Sequence, residues 1–413
     1  MSYSTGAKTM QRATRRAQHE ERVLDLLRRS GPLTRAELGD LSGLSRTTLY
    51  DVVASLVDGG VLTVSVPQDE RRKRGRPAER LHLTPAADHV VGVDFGRHEV
   101  RVAAYDVGTE AARTAAEPHG PDLPWERRVD IAWGLTVALT GRAPSAGAFK
   151  AVGVGLADPG GRPPDATDRK LVLSLVRERF GAVARVEATS RLTALAESAW
   201  GAAAGERNML YVHLSHGVAG GLIVNGALHR GAHGVSGELG HITVVPGGAP
   251  CACGRTGCLE TVAGISGVLG AYRAAGGAAH DLSGFVASLG AGDGIALAVL
   301  EEAGAQVGRV LAGVSNVIGP RVIVIGGELI RTGPTLMNAI RRAFEEHVLS
   351  WPRSRISLRP AALAETGPAL GAVCQALPQR PTALGRLAPR EGGAGAPPCV
   401  PAQALGPRTL ATV

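Results

Sequence analysis

Between Glu238 and Glu260 the chain reads Glu-Leu-Gly-His, then a short Pro/Gly loop, then Cys-Ala-Cys-Gly-Arg-Thr-Gly-Cys-Leu-Glu. No other segment restricts the fold as much. His241, Cys251, Cys253 and Cys258 offer one imidazole and three thiolates, the soft, closed ligand set preferred by a structural tetrahedral zinc. Gly254 and Gly257 free the backbone of a loop that has to aim three sulfurs at one point. The other readings of these cysteines are unpaired thiols or a disulfide between close neighbours, and a reducing compartment disfavours the disulfide.

At 413 residues the chain is long enough for two or three domains with substantial cores. It is 44% hydrophobic but only 3% aromatic and carries 56 glycines, which suits an α/β protein packed with Ala, Val and Leu and rich in turns. With no apolar run of about 18 residues, no membrane span is expected. The polar, arginine-rich N-terminus lacks the apolar core of a secretory signal, so a cytoplasmic location is expected. The net charge of +8 is unevenly placed: residues 1–89 hold 15 basic and 11 acidic side chains, whereas residues 90–377 hold 26 and 25. A basic head on a near-neutral body points to a polyanionic partner for the head.

The sequence divides into an N-terminal arm (1–18), expected to be flexible, a head (19–85), a body (90–377) and a Pro/Gly/Ala-rich tail (378–413), expected to be disordered. In the head, Val23, Leu26 and Leu27 share one face of a first helix. Thr34-Arg35-Ala36-Glu37 is a capping box for a second helix that runs to about Leu41. Ser42-Gly43-Leu44 forms a tight turn, and Ser45 caps a third helix that buries Leu49, Val52, Val53 and Leu56 and presents Arg46, Thr47, Thr48 and Tyr50. Strands at 61–66 and 80–83 flank Arg71, Arg72, Lys73, Arg74 and Arg76.

That order predicts a winged helix-turn-helix on double-stranded DNA. The third helix would read base edges in the major groove, and the cationic wing would neutralise phosphates. A three-helix interaction module with a solvated charge run is the plainer alternative.

In the body, strands are expected at 90–96, 100–106, 150–156, 183–186, 209–215, 220–224 and 321–325, and a helix at 334–347. Strands alternating with helices, with glycines at strand ends, indicate an α/β sheet protein. His213, His216, His229 and His233 read as surface or loop histidines, and Cys374 as buried in the last helix.

The Glu238–Glu260 block resembles the signature of the ROK family, which groups bacterial repressors, open reading frames and sugar kinases. The resemblance covers roughly residues 90–377. It implies a two-lobed α/β body of the actin-like ATPase and sugar-kinase type, with zinc held by His241, Cys251, Cys253 and Cys258. It also makes Glu238, His241 and Glu260 candidates for contact with a sugar or sugar-phosphate effector. The two glutamates have an equally simple structural reading, as carboxylates that orient the metal ligands.

Kinase chemistry fits this chain poorly. Kinases of the family carry Asp-x-Gly-Gly-Thr at the first phosphate loop, where this chain reads Asp94-Phe95-Gly96-Arg97-His98. Their catalytic Asn-Asp-Ala-Asn corresponds to Ala188, Thr189, Ser190 and Arg191, and a threonine at the base position cannot accept a sugar proton near neutral pH. Their second phosphate loop corresponds to the altered Ser215–Gly221 segment, and Asp158-Pro159-Gly160 is the trace of a longer sugar-facing loop.

The expectation is therefore a DNA-binding transcriptional repressor, homodimeric or tetrameric, with zinc and without ATP. The competing readings are a carbohydrate kinase with an appended DNA arm and a ligand-independent regulator whose body is a scaffold.

Overall fold

The head is built from short amphipathic helices that bury one common face. In the computed structural model, which describes residues 19–20, 22–27, 29–58, 62–65, 79–83, 89–107, 109–141, 149–157, 166–350, 355–377 and 386–387, the described part of 19–30 is helical (α1). It is followed by β1 (Leu33–Thr34), α2 (Arg35–Ser42), α3 (Arg46–Asp58), β2 (Leu62–Ser65) and β3 (Arg80–Leu83). The capping box at α2 is complete: the Thr34 side chain accepts from Glu37 N–H while the Glu37 carboxylate accepts from Thr34 N–H. Gly43, in the left-handed region at φ 65°, ends α2 and turns the chain into α3, where Ser45 Oγ accepts from Thr48 N–H. Val23, Leu38, Leu49, Val53, Leu62 and Leu81 fill one core beneath the antiparallel sheet β1-β3-β2.

Two sheets organise the body. The first, built on β4 (His89–Phe95), β5 (Glu99–Asp106), β6 (Ala111–Pro118), β7 (Phe149–Leu156), β8 (Ala184–Ala188) and β14 (Arg386–Leu387), has the order β14-β6-β5-β4-β7-β8. Every residue of β4 is buried, as expected for a near-continuous apolar run covered on both faces. Helices α4 (Trp125–Thr140) and α5 (Ala166–Phe180) were not foreseen, nor was β6. Within the tail, Arg386–Leu387 (β14) pairs in parallel with Ala111–Ala112, a departure from the expected disorder.

The second sheet has the order β11-β10-β9-β12-β13, from β9 (Met209–Leu214), β10 (Val218–Val224), β11 (Ala227–His229), β12 (Val322–Gly326) and β13 (Ser357–Pro360). The β9–β10 hairpin and the helix Pro334–His347 fall where the sequence placed them. On the sheet pack α8 (Ile265–Ala274), α9 (Leu282–Gly290), the 25-residue α10 (Gly294–Ile318) and α11 (Pro334–His347), around a core that includes Phe285, Val307, Ile323 and Phe344. No single helix among the described residues is long and apolar enough to cross a membrane.

Two helices join the sheets. α6 (Thr189–Ala199) leaves β8 and crosses to β10, and α12 (Gly367–Ala376) returns from the second sheet to lie on β4 and β7. That return demands bare backbone: a Cβ at Gly92 or Gly153 would collide with the α12 carbonyls of Ala369 or Ala372. Glu197 locks the α6 end of the junction. It is fully buried, and its carboxylate accepts from the backbone N–H groups of Ala202 (2.7 Å), Ala362 (3.0 Å) and Leu363 (2.9 Å). Burial pushes its pKa up, and those three amides pull it back.

Glu197→Ala would leave three buried amides without an acceptor. A stability loss of about 3 kcal/mol or more is expected in urea unfolding, and a loss below about 1 kcal/mol would remove Glu197 from this role.

Candidate functional site

The four predicted metal ligands come together. The 3₁₀ turn Leu239–His241 presents the imidazole, and the loop up to α7 (Glu260–Ala263) presents the three sulfurs. The loop is tied by bridges Thr243↔Cys258 and Pro250↔Thr256 and by the Cys251 N–H donating to Arg255 O. All four donor atoms lie within 4.8 Å of one another. Cys251 Sγ is 3.5 Å from His241 Nδ1, and Cys253 Sγ is 3.6 Å from Cys258 Sγ. A tetrahedral zinc at ordinary bond lengths has ligand-to-ligand edges of about 3.5–3.8 Å, so the donor set is compatible with that ion.

The cysteines are free, which disposes of the disulfide reading among the described residues. Burial pushes the Cys258 thiol up to about 12, while the Arg255 backbone amide and then its side chain bring Cys253 down to about 6. A bound cation would supply the charge that keeps the buried sulfurs as thiolates.

Glu260 and Glu238 face different neighbours. Glu260 accepts from Val218 N–H at 3.1 Å and approaches Cys251 Sγ at 3.8 Å, so it links the metal loop to the β9–β10 hairpin. Glu238 lies 3.6 Å from Arg191 Nη1.

Arg191 and its partners were not recognised in the sequence as site residues. Thr189 opens α6, its carbonyl accepting from the Thr193 hydroxyl, and one half-turn later Arg191 is buried. Arg191 Nε donates to Glu187 at 2.8 Å, and Arg230 Nε donates to the other oxygen of Glu187 at 2.6 Å. Burial works against the ionised Glu187, but Arg191 and Arg230 outweigh it and hold its pKa below the usual carboxylate range. An arginine in the position of a kinase asparagine was the available signal, but Arg230 is 43 residues from Glu187 and only the fold joins them.

Each of the two segments that the resemblance aligned with phosphate loops has a carboxylate at it. In the first, Arg97 and His98 are exposed, while Asp94 is buried and its Oδ1 has no hydrogen-bond partner among the described residues. Burial raises its pKa to about 7, with Arg101 across the β4–β5 pair opposing and Glu99 adding to the rise. In the second, the Ser215 hydroxyl donates to Glu328 at 3.0 Å beside a cavity of about 440 Å³ lined by His216, Ile265, Arg273, His280, Glu328 and Arg331. Asp158-Pro159-Gly160 lies outside the described residues.

Of the four predicted histidines, His216, His229 and His233 are exposed, but His213 is not a surface residue. It lies on β9, its Nδ1 is 3.0 Å from the Tyr211 hydroxyl, and burial lowers its pKa. It is the one residue of β9 that stays partly exposed, between the loop position expected and the core.

On the head, Arg46, Thr47 and Tyr50 are exposed along α3. Thr48 is half-buried, and its hydroxyl is 2.8 Å from that of Ser45, so it serves the helix cap. Arg35 stacks over the Tyr50 ring at 5.5 Å and pairs with Glu79. The candidate wing residues Arg71, Arg72, Lys73, Arg74 and Arg76 lie outside the described residues.

The profile of the ROK family matches residues 164–378, just over half of the chain. The chain belongs to the ROK family. Among its relatives is a glucokinase of Halalkalibacterium halodurans, 36% identical over 203 residues that make up 45% of this chain and 61% of the glucokinase. A xylose repressor of Bacillus spizizenii is 25% identical over 365 residues, 86% of this chain and 93% of the repressor. The kinase thus aligns with less than half of this ROK protein, and the repressor with nearly all of it. In fold the chain is similar to the crystal structure of a ROK family transcriptional regulator described as a homologue of the Escherichia coli MLC protein. The TM-score is 0.60 at 22% identity, covering 87% of this chain and 96% of that one. The body has the two-lobed α/β architecture of the actin-like ATPases and sugar kinases, as the sequence implied.

Asp94 gives a pH test. Its folded value, about 7, lies above the ordinary 3.8, so the folded chain holds this proton more tightly. The associated stability is present below pH 3.8, declines as pH rises and is lost above about 7. Asp94→Asn should therefore gain stability over the natural chain on going from about pH 5 to pH 8, by on the order of 2 kcal/mol in urea unfolding. An equal effect at both pH values would contradict the buried, unpartnered carboxylate.

Proposed function

We propose that this ROK protein is a DNA-binding transcriptional regulator, a repressor, whose body has lost phosphoryl transfer and serves to assemble the heads and to sense an effector. The observation that carries the reading is the β8–α6 junction. Thr189 stands where the catalytic base belongs, and the ion pairs of Arg191 with Glu187 and Glu238 occupy the space beside it. A hydroxyl cannot take the sugar proton near neutral pH, and the guanidinium, always charged, accepts no proton at all.

The second loop supports the same reading, because the Glu328 carboxylate accepts from the Ser215 hydroxyl at the start of a segment that in a kinase receives phosphate. The repressor alignment, at 86% of this chain, is longer than the body and tail together and so reaches into the head, which supports DNA binding. A structural zinc on His241, Cys251, Cys253 and Cys258 would brace the loop that carries Glu238 and Glu260. The protein would act in the cytoplasm as a homodimer or tetramer, placing two α3 helices on a pseudo-palindromic operator. Ligand binding would change head spacing and so DNA affinity.

The similarity to a glucokinase favours one second reading, a carbohydrate kinase with an appended DNA arm. Two measurements on one preparation separate them. Duplexes selected from a randomised library should be retained, with no ADP release from ATP and monosaccharides. Replacing Arg72 and Arg74 by Gln should weaken binding to all duplexes alike and reduce the salt slope by about 2. Sugar-dependent ADP release that disappears in Glu238→Ala would establish the kinase instead.

A further inference from the structure

Arg191 and Glu238 are unequal partners. The Arg191 side chain is 8% exposed and is fixed through Nε to Glu187, whose two oxygens are already engaged by Arg191, Arg230 and the Ala188 N–H. Glu238 is 32% exposed, and its 3.6 Å separation from Arg191 Nη1 is longer than a hydrogen bond. Glu238 can withdraw into water, and Arg191 cannot.

The charges decide what could take Glu238's place. Glu187, Glu238, Arg191 and Arg230 carry two negative and two positive charges and cancel. A neutral polyol entering between Arg191 and Glu238 would displace the carboxylate and leave Arg191 and the half-exposed Arg230 sharing one carboxylate, Glu187, a net positive charge that costs most at the buried Arg191 side chain. A carboxylate or phosphate on the ligand would restore the balance, and the outer edge of a guanidinium matches either group with two parallel N–H donors.

We propose that the cleft takes a small polyhydroxylated anion, with its oxyanion on Arg191 in place of Glu238. The proposal rests on the reading that the body senses an effector, and it specifies the chemical class. Glu238 becomes an internal competitor for the site. It precedes the 3₁₀ turn Leu239–His241, so its release would act directly on the segment that carries the metal-facing imidazole.

Calorimetric titration of the full chain with glucose, glucuronate and glucose 6-phosphate tests this. At least one anion should bind and glucose should not; glucuronate alone assigns a carboxylate ligand, glucose 6-phosphate alone a phosphate. Glu238→Gln, at a partly exposed position, should bind that anion roughly tenfold more tightly because its competitor is gone. A glutamate that held sugar hydroxyls would instead lose binding on this change. Arg191→Lys, which keeps the charge but not the fork, should bind roughly tenfold more weakly with its melting temperature as a check on folding.

Glucose binding as tightly as either anion, weaker anion binding in Glu238→Gln, or no binding of any of the three by the folded natural chain would each overturn the proposal. DNA retention by the same preparation is read separately. Its loss would sink the regulator reading and leave the result for the cleft intact.

Discussion

His241, Cys251, Cys253 and Cys258 bring four donor atoms within 4.8 Å of one another, and the placement of Glu238 and Glu260 follows from that convergence. The loop that supplies them is long and poor in regular structure, held otherwise by two isolated bridges and a few turn hydrogen bonds. From its two ends extend the carboxylates that matter: Glu238, ahead of His241, reaches Arg191 at the start of α6, and Glu260, after Cys258, pins the backbone of the β9–β10 hairpin. A cation at the centre would fix both at once. Without one, two buried sulfurs would sit in apolar surroundings that favour the neutral thiol and release the loop.

On the proposed reading, the cleft around this centre has exchanged one kind of chemistry for another. Phosphoryl transfer needs positive charge and bare backbone around the phosphates and a base near the acceptor hydroxyl. Here Glu328 and Glu260 accept from Ser215 and Val218 of the second loop, Asp94 is buried with one oxygen unpartnered among the described residues, and Thr189 opens a helix whose first turn is tied into ion pairs through Arg191. Those ion pairs cross between the two sheets, from Glu187 on β8 to Arg230 beyond β11, so they bear on the relative placement of the lobes. A body that keeps its two-lobed frame while its cleft becomes a charged junction is suited to transmitting a change of shape.

The parts that sequence reveals best are those decided locally. The Thr34–Glu37 capping box, the Gly43 turn, the all-buried β4 and the β9–β10 hairpin depend on neighbours within a few residues, and each lies where the pattern placed it. Helix α10, the longest in the body, carries its period in Leu300, Val307, Leu311 and Val314, but exposed Ile295, Leu297, Val317 and Ile318 at its two ends blur that stripe in the sequence. His213 looked like a loop histidine because its strand is recognised by its neighbours, not by the imidazole itself. The metal ligands stood out because spacing and residue type agree, whereas Glu187 with Arg230, or Glu197 with the amides of Ala362 and Leu363, become partners only when the sheets are assembled. Composition and periodicity carry no trace of such pairs.

On the proposed reading, one zinc ion sits at the His241–Cys258 centre and braces a cleft without kinase chemistry. X-ray absorption at the zinc edge of the full-length protein tests it most directly. One zinc per chain is expected, with three sulfur neighbours at about 2.3 Å and one nitrogen at about 2.0–2.1 Å, and with the sulfur count reduced in Cys258→Ala. A site with bound water or carboxylate oxygen in the coordination sphere, or a folded protein free of metal, would contradict it.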